Sequence, residues 1–237
     1  MGMIHKYQEA QKEVIMNKIL IVSAHPDDET LGCGGTILKH KSQNDKVFWL
    51  ILTNIDTKNG WDEEKVKSRQ KEIDDVAVTY GFEDIYKLDF PTTTLDIISM
   101  NDLIKPISGV MNKIKPNMIY LPFKSDIHTD HQVTFDAVMA CTKTFRYPDI
   151  RKIMMYECLS ETEFAPAYHD TVFIPNYFVD ISDYFNKKIE IMKNYSSEIM
   201  SSPYPRSLEI IEAQAKLRGS RIGKKYAEAF SMIFEIS

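Results

Sequence analysis

The sequence predicts an α/β fold, a Rossmann-like, doubly wound and mostly parallel sheet with helices on both faces. Three observations predict it: short apolar runs alternate with longer amphipathic segments, the runs show little polar alternation, and no internal repeat or linker interrupts them. Strands without polar alternation are typical of sheets buried on both faces, and right-handed crossovers through helices then give a covered parallel sheet. At this length of 237 residues, we expect residues 1–237 to form a single domain.

In the first two thirds of the chain, predicted strands alternate with predicted helices. The runs KILIVS, KVFWLILT, DIYKLDF, NMIYLP and RKIMMYEC predict strands at residues 18–23, 46–53, 84–90, 117–122 and 151–158. The segments between them predict helices at residues 30–40, 61–80, 99–114 and 129–144. The common strand order 3-2-1-4-5 then makes the first and fourth strands neighbours.

Beyond residue 158 the alternation is less regular. Strands are predicted at residues 176–181 and 227–236, and helices at residues 184–199 and 207–222. Between the two helices, residues 201–206 (SSPYPR) form a turn-rich, aromatic and basic loop. Two interpretations of this loop stay open, a plain connector or part of a rim that holds substrate.

The composition is that of an ordinary globular protein and argues against several classes. A formal net charge of −5 gives no reason to expect nucleic acid as a partner, and no long apolar run predicts a transmembrane helix. The opening stretch MGMIHKYQEAQKEVIMNK lacks the apolar core of a signal peptide. Cys33, Cys141 and Cys158 show no CxxC spacing, so we expect reduced, mostly buried thiols and a cytoplasmic location. The sequence leaves a homo-oligomer open.

The first predicted strand ends in concentrated charge, within ILIVSAHPDDET. His25, Asp27 and Asp28 directly follow the strand, and Pro26 stiffens the turn between them. In doubly wound sheets, ligands bind beyond the carboxyl ends of the strands at the switch point, so this cluster faces that crevice. The glycine-rich residues 32–35 fit neither a dinucleotide fingerprint nor a Walker A loop, and we expect them to allow close packing of helix against strand.

A second polar cluster, SDIHTDHQ, follows the fourth strand and carries His128 and His131. A histidine with a carboxylate three residues on, plus a remote histidine, is a reasonable three-ligand set that leaves a position for water. Catalytic zinc also needs a separate carboxylate as general base, and the adjacent Asp27 and Asp28 could divide these roles. Either cluster alone is more often a solvated turn or a chance pair. Their coincidence after neighbouring strands predicts a metal site.

AHPDDE after a first strand, GGT shortly afterwards and HTDH after a later strand resemble the LmbE-like, or PIG-L-like, family of zinc-dependent N-acetylglucosaminyl deacetylases. The resemblance spans most of the chain and includes RQKE at residues 69–72 and GKKYAEAF at residues 223–230. It implies a single LmbE-like deacetylase domain in which activated water removes the N-acetyl group of an amino sugar. The implied partner is a small-molecule amino sugar, which could also be linked to a nucleotide or a lipid.

The resemblance also implies roles at the metal. By it, His25, Asp28 and His131 bind Zn²⁺, and such a two-histidine, one-carboxylate set would accept Fe²⁺ as well. Asp27 would be the general base that deprotonates the attacking water.

For the remaining polar residues the resemblance implies supporting roles. His128 would stabilise the oxyanion or protonate the leaving amine, and Asp130 would orient a neighbouring histidine. Arg69 would contact the sugar or a substrate anion, with an ion pair to Glu72 as the equal alternative. Asp126 stands near the point where some relatives carry a tyrosine that polarises the acyl carbonyl, so the sequence leaves that assistance open.

Two other functions stay open at this level. One is an amidase that cleaves a larger acyl group, or a sugar–thiol conjugate, with the same chemistry. The other is a Rossmann-like binding domain without catalysis, whose acids hold a structural or magnesium ion. The second would leave metal content and ligand binding unchanged in Asp27→Asn, with no activity to lose.

Overall fold

The structure, a computed structural model, describes residues 16–237. Their seven strands form one sheet of order β3-β2-β1-β4-β5-β7-β6. The strands are β1 Lys18–Ser23, β2 Lys46–Asn54, β3 Asp84–Pro91, β4 Met118–Pro122, β5 Lys152–Tyr156, β6 Tyr177–Asp180 and β7 Ala227–Glu235. The helices are α1 Asp28–Ser42, α2 Glu63–Tyr80, α3 Met100–Ile114, α4 Thr129–Ala140, α5 Phe185–Met192 and α6 Leu208–Arg221. Strands β1 to β5 pair in parallel, whereas β7 is antiparallel to both β5 and β6.

The predicted fold class is confirmed, and β1 lies between β2 and β4 as the predicted order requires. The largest difference is α5, which ends at Met192 although the prediction continued it to residue 199. The segment after α5 contains Asn194, Ser196 and Ser197, whose side chains compete for backbone hydrogen bonds and so favour turns over helix. The prediction that the opening stretch is not a signal peptide concerns mainly residues 1–15, which lie outside the described residues.

Alternate residues of β1 enter two separate cores, as expected for a sheet covered on both faces. Ile19 and Ile21 pack in the core formed with α1, α2, α5 and α6, whereas Leu20 and Val22 pack in the core formed with α3 and α4. All four side chains are fully buried. The three cysteines are free and buried, as predicted. Within the described part of the chain, no helix is both long and apolar enough to cross a membrane.

Three hydrogen bonds hold the end of β1 and the residue that follows it. Tyr156 Oη donates a hydrogen bond of 2.8 Å to the Val22 carbonyl, and Thr53 Oγ1 donates one of 2.7 Å to the Ala24 carbonyl. Trp49 Nε1 donates to Ser23 Oγ at 2.9 Å. Side chains of β2 and β5 therefore hold the point from which the first polar cluster leaves the sheet.

Helix α1 is kinked at Cys33, whose φ and ψ are −146° and 22°. The kink frees backbone donors, and the buried Glu228 carboxylate accepts hydrogen bonds from the Gly35 and Thr36 amides at 2.9 and 2.7 Å. Lys188 Nζ lies 2.7 Å from the same carboxylate and also donates to the Leu31 carbonyl at 2.9 Å. The glycine-rich segment and the C-terminal YAEAF segment thus stabilise each other, and together they fix the start of α1.

Candidate metal and catalytic site

The turn after β1 separates the two adjacent aspartates. Asp27, the N-cap of α1, has φ 126°, a backbone conformation that non-glycine residues rarely adopt and that is often found at functional sites. Asp28 turns back on the loop, and its Oδ2 accepts a hydrogen bond of 2.8 Å from the His25 amide. The Asp27 carboxylate therefore diverges from that of Asp28, although both are buried.

The second cluster begins α4. His128 is the N-cap of this helix, and its Nδ1 accepts a hydrogen bond of 3.1 Å from the Asp130 amide. His131 follows one turn later and is fully buried, with its Nδ1 2.8 Å from Asp126 Oδ2. Asp126 Oδ1 in turn accepts a hydrogen bond of 2.6 Å from Thr162 Oγ1. Since the carboxylate accepts a hydrogen bond from Nδ1–H, Nε2 of His131 is left as a potential ligand atom.

The two clusters meet at the carboxyl ends of β1 and β4. The ring centroids of His25 and His131 are 5.3 Å apart, and His131 Nε2 lies 3.3 Å from Asp28 Oδ1. One potential ligand atom from each of these three residues lies within 4.8 Å of the others. A second such group shares His25 and adds His128 and Asp130. The side chains that the sequence predicted as metal ligands are therefore close together.

The chemistry of the donors fits a bound divalent metal. His131 Nε2 is buried and has no hydrogen-bond partner among the described residues, which is unfavourable for a polar atom unless a ligand occupies the position. Burial alone would raise the pKa of Asp28, but the charges of His131 and His25 outweigh it and hold that pKa well below its ordinary value. Two imidazoles and one carboxylate form a three-residue zinc set that leaves an open coordination position.

Asp27 lies beside this group without belonging to it. The side chain lines the same cavity, and its Oδ2 accepts a hydrogen bond of 3.3 Å from Arg206 Nη1. Burial raises the pKa of Asp27 well above its ordinary value, as do Asp28 and Glu198, while Arg206 opposes the shift. A buried carboxyl group with a perturbed pKa beside a group of metal-ligand residues is a candidate for a general acid or base.

Asp130 lies behind His25. Its Oδ2 is 3.0 Å from His25 Nε2 and accepts a hydrogen bond of 2.7 Å from the Thr93 amide, while its Oδ1 accepts one of 3.0 Å from the Leu95 amide. The carboxylate thereby joins the loop after β3 to His25. Burial, together with the neighbouring His25 and His131, lowers the pKa of His128 to about 4, so the imidazole of His128 is neutral at pH 7.

Arg69 lines the cavity, but its guanidinium is held by protein groups. Nη1 donates to the Pro26 carbonyl at 3.1 Å, and Nη2 contacts the Glu198 carboxylate. Nε lies 3.5 Å from Glu72 Oε2, as in the ion pair that the sequence left as an alternative. Most of its hydrogen-bonding capacity is thus engaged within the chain.

The cavity at this edge of the sheet has a volume of about 250 Å³. Besides the polar clusters, its lining includes Trp61, Thr92 and Cys158, which lie on three different loops. Trp61 is 40% exposed, so its ring is open to a ligand at the rim. The cavity is therefore lined by the polar groups of the metal site and by one partly exposed aromatic side chain, that of Trp61.

Sequence reasoning missed several residues of the site. Asp126 belonged to the recognised cluster, but its contact with His131 depends on how the turn before α4 folds. Glu198 was predicted to be helical, whereas it lies in the loop after α5 and binds two arginines. Arg206 lies in the SSPYPR loop, whose basic character was the one available signal for a role at the cavity.

Comparisons with known proteins identify the family and the fold. Residues 20–142 match the model of the family described as PIG-L: GlcNAc-PI de-N-acetylase. A diacetylchitobiose deacetylase from Thermococcus kodakarensis is 25% identical over 225 residues, which cover 92% of this chain and 84% of the relative. A probable N-acetyl-α-D-glucosaminyl L-malate deacetylase 2 from Bacillus anthracis is 23% identical over 188 residues, 76% of this chain and 80% of the relative. The crystal structure of a conserved protein from Thermus thermophilus has a TM-score of 0.75 and 22% identity, covering 94% of this chain and 97% of that one.

Proposed function

The chain belongs to the PIG-L family of GlcNAc-PI de-N-acetylases, and on this premise we propose that it is a metal-dependent hydrolase that removes the N-acetyl group from an amino sugar or its conjugate. One observation carries the proposal: a metal-type group of two histidines and Asp28 lies beside a separate buried carboxylate, Asp27. Amide hydrolysis needs both a metal and an independent base, and a site that only stores a metal ion has no use for the base. The deacetylases among its relatives act on N-acetylated amino sugars, and we assign the same substrate class here.

In this proposal His25, Asp28 and His131 hold the metal. When bound, a zinc ion would lower the pKa of a water molecule toward about 7 and polarise the amide carbonyl. Asp126 keeps a proton on His131 Nδ1, so that Nε2 is directed to the metal. Asp130 holds His25 in the same way, through the contact to its Nε2. We propose zinc as the resident metal, with Fe²⁺ accepted by the same donor set.

Asp27 would act as the base. It takes one proton from water while the oxygen adds to the amide carbonyl carbon, and the carbon–nitrogen bond then breaks. The proton held by Asp27 passes to the departing nitrogen, which leaves as an amine, and the acyl group leaves as acetic acid, which releases the second proton of the water to solvent and becomes acetate. Burial raises the pKa of Asp27, which makes its carboxylate a stronger proton acceptor.

His128 would stabilise the developing negative charge on the carbonyl oxygen. Its Nδ1 accepts the Asp130 amide, so the ring carries its hydrogen on Nε2, which can donate to an oxyanion. This fixed tautomer favours the hydrogen-bonding role over proton delivery. Asp126 is buried and contacts His131. In this proposal it therefore does not take over the role of the tyrosine that polarises the acyl carbonyl of the substrate in some relatives.

The test measures metal content and acetate release together. Purified protein is analysed for metal and then incubated with a panel of N-acetylglucosamine derivatives, free, linked to a second sugar and linked to malate. We expect about one metal ion per chain, and loss of activity by about 10²- to 10⁴-fold in Asp27→Asn, with the metal retained. Asp75→Asn is the matched control and should keep full activity, because the Asp75 side chain is 47% exposed on α2 and, among residues 16–237, its ion pair is with Lys71.

Either of two results would refute the proposal in part or whole. A protein that binds no metal after careful purification would remove its basis. Metal binding without acetate release would retain the site, and N-acyl sugars with longer chains would then test the amidase alternative.

A further inference from the structure

We propose that Arg206 is a positioning residue that holds the general base Asp27, with one carboxylate oxygen fixed and the other free for the reacting water. The inference rests on the proposed function, because it concerns the base of the same reaction. It assigns a role to the SSPYPR loop, which joins α5 and α6.

The contact with Asp27 involves one oxygen. Arg206 Nη1 donates to Asp27 Oδ2 at 3.3 Å, and no hydrogen bond to Asp27 Oδ1 is found among the described residues. The side chain of Asp27 extends from a strained backbone and lies next to a second carboxylate, that of Asp28. Repulsion between the two carboxylates would turn Asp27 away from the metal group unless an opposite charge held it.

Arg206 is itself fixed by Glu198, whose Oε2 accepts a hydrogen bond of 2.7 Å from the same Nη1. The other oxygen of Glu198 binds Arg69, and Arg69 donates to the Pro26 carbonyl at 3.1 Å. These contacts form a closed ring that begins at Asp27 and ends at Pro26, the preceding residue. A ring closed on two consecutive residues restricts both the backbone and the side chain of the base.

The loop also fixes the starting point of Arg206. The Arg206 carbonyl accepts a hydrogen bond of 3.2 Å from the Met200 amide, and the next residue, the buried Ser207, caps α6 through a bond of 3.3 Å to the Ile210 amide. The guanidinium is therefore presented from a closed turn at a helix end. A lysine at this position would supply the charge, but its ammonium lies on a flexible stem and lacks the rigid plane that places Nη1 of Arg206 between Asp27 and Glu198.

Steady-state kinetics of acetate release test the role. Misplacement of a catalytic group costs on the order of 10²-fold, so Arg206→Gln should lose about that factor in kcat with little change in KM. Arg206→Lys should recover about a tenth of the wild-type rate or more, and Glu198→Gln should lower kcat in the same direction. Metal content should stay at the wild-type level in all three variants.

Arg218→Gln is the matched control. Arg218 lies on α6 and, like Arg206, pairs with an acid, the buried Glu157, at 2.6 Å, but it does not line the cavity. It should lose stability and keep kcat. If Arg206→Gln does not fold, Arg206→Lys carries the test, since it keeps the charge.

A raised KM with unchanged kcat would overturn the inference, since Arg206 would then bind substrate in its ground state. Unchanged kinetics in Arg206→Gln would overturn it as well. A readout without substrate is the Asp27 side chain in crystal structures of wild type and Arg206→Gln: rotation in the variant is expected, and an unmoved side chain overturns the role. If the wild type releases no acetate from any sugar, the proposed function fails, and the crystal structures alone decide this inference.

Discussion

Asp126→Asn tests whether Asp126 fixes the tautomer of His131 that can bind a metal. Asp126 is fully buried, with Oδ2 2.8 Å from His131 Nδ1 and Oδ1 2.6 Å from Thr162 Oγ1. Thr162 Oγ1 accepts a hydrogen bond of 2.8 Å from the Cys158 amide, so its own hydrogen is directed to Asp126. The carboxylate therefore accepts from two donors, and one of them is the imidazole.

Asparagine at this position offers one acceptor and one donor where aspartate offers two acceptors. With its oxygen toward His131, its amide faces the donating hydroxyl of Thr162 and one hydrogen bond is lost. With its amide toward His131, the imidazole must move its proton to Nε2, where it blocks metal binding. Loss of such a supporting partner typically weakens metal binding about 10- to 100-fold, or ~1.4–2.7 kcal/mol.

Competition with a chromophoric zinc chelator measures the effect. We expect zinc binding by Asp126→Asn to weaken by that factor, and binding by Thr162→Val, which leaves the carboxylate and imidazole in contact, to weaken by less. Thermal unfolding in excess chelator separates the loss of metal affinity from loss of the fold. Equal zinc affinity in wild type and Asp126→Asn would refute the role of Asp126 in fixing the His131 tautomer.

Three further predictions concern stability. Glu228→Gln leaves the buried Lys188 without its charged partner, so the free energy of unfolding in urea should fall by about 3–5 kcal/mol, and an unchanged midpoint would contradict this. Removing the metal by chelation should lower the Tm, and zinc at about 100 times its Kd should raise the free energy of unfolding by ~2.7 kcal/mol. A Tm that does not respond to zinc would contradict the proposed metal site. Burial alone would raise the pKa of Asp45, but hydrogen bonds from His40 and Asn17 hold it below 3.8. Because the pKa of Asp45 is lower in the folded state, the ionised side chain stabilises the fold fully above pH 3.8, and this stabilisation is lost as the pH falls through the folded pKa. In urea titrations, Asp45→Asn should therefore show a smaller fall in the free energy of unfolding at acid pH. A fall as large as in wild type would contradict this.

The parallel part of the fold was predictable from local patterns. The runs of β1 to β5 were each predicted with the boundaries that the structure has, within two residues at either end. Segments held by contacts distant in sequence were less predictable. The glycines around Cys33 weaken the helix locally, but the partner of the kinked segment of α1, Glu228, lies about two hundred residues away and has no local signal.

The residues of the site were likewise predictable where strand order brings them together, and not where a distant loop supplies them. The ligand-type residues follow β1 and β4, and the strand order makes these ends adjacent, so topology alone brings His25 to His131. Arg206 reaches Asp27 from a loop that is 179 residues away in sequence, and neither periodicity nor spacing encodes such a contact. Residues that hold the reacting groups in place are thus found only once the fold is known.

The balance of buried charges at the site favours a cation beside Asp28. Four buried carboxylates surround it: Asp27, Asp28, Asp126 and Asp130. Arg206 pairs with the first, His131 Nδ1 with the third and His25 Nε2 with the fourth. Among the described residues, the hydrogen-bonding partners of Asp28 are only a backbone amide and a weakly donating thiol, and His131 Nε2 lies next to it without a partner. A divalent metal at this point would neutralise Asp28 and would give His131 Nε2 a partner, using both atoms as ligands.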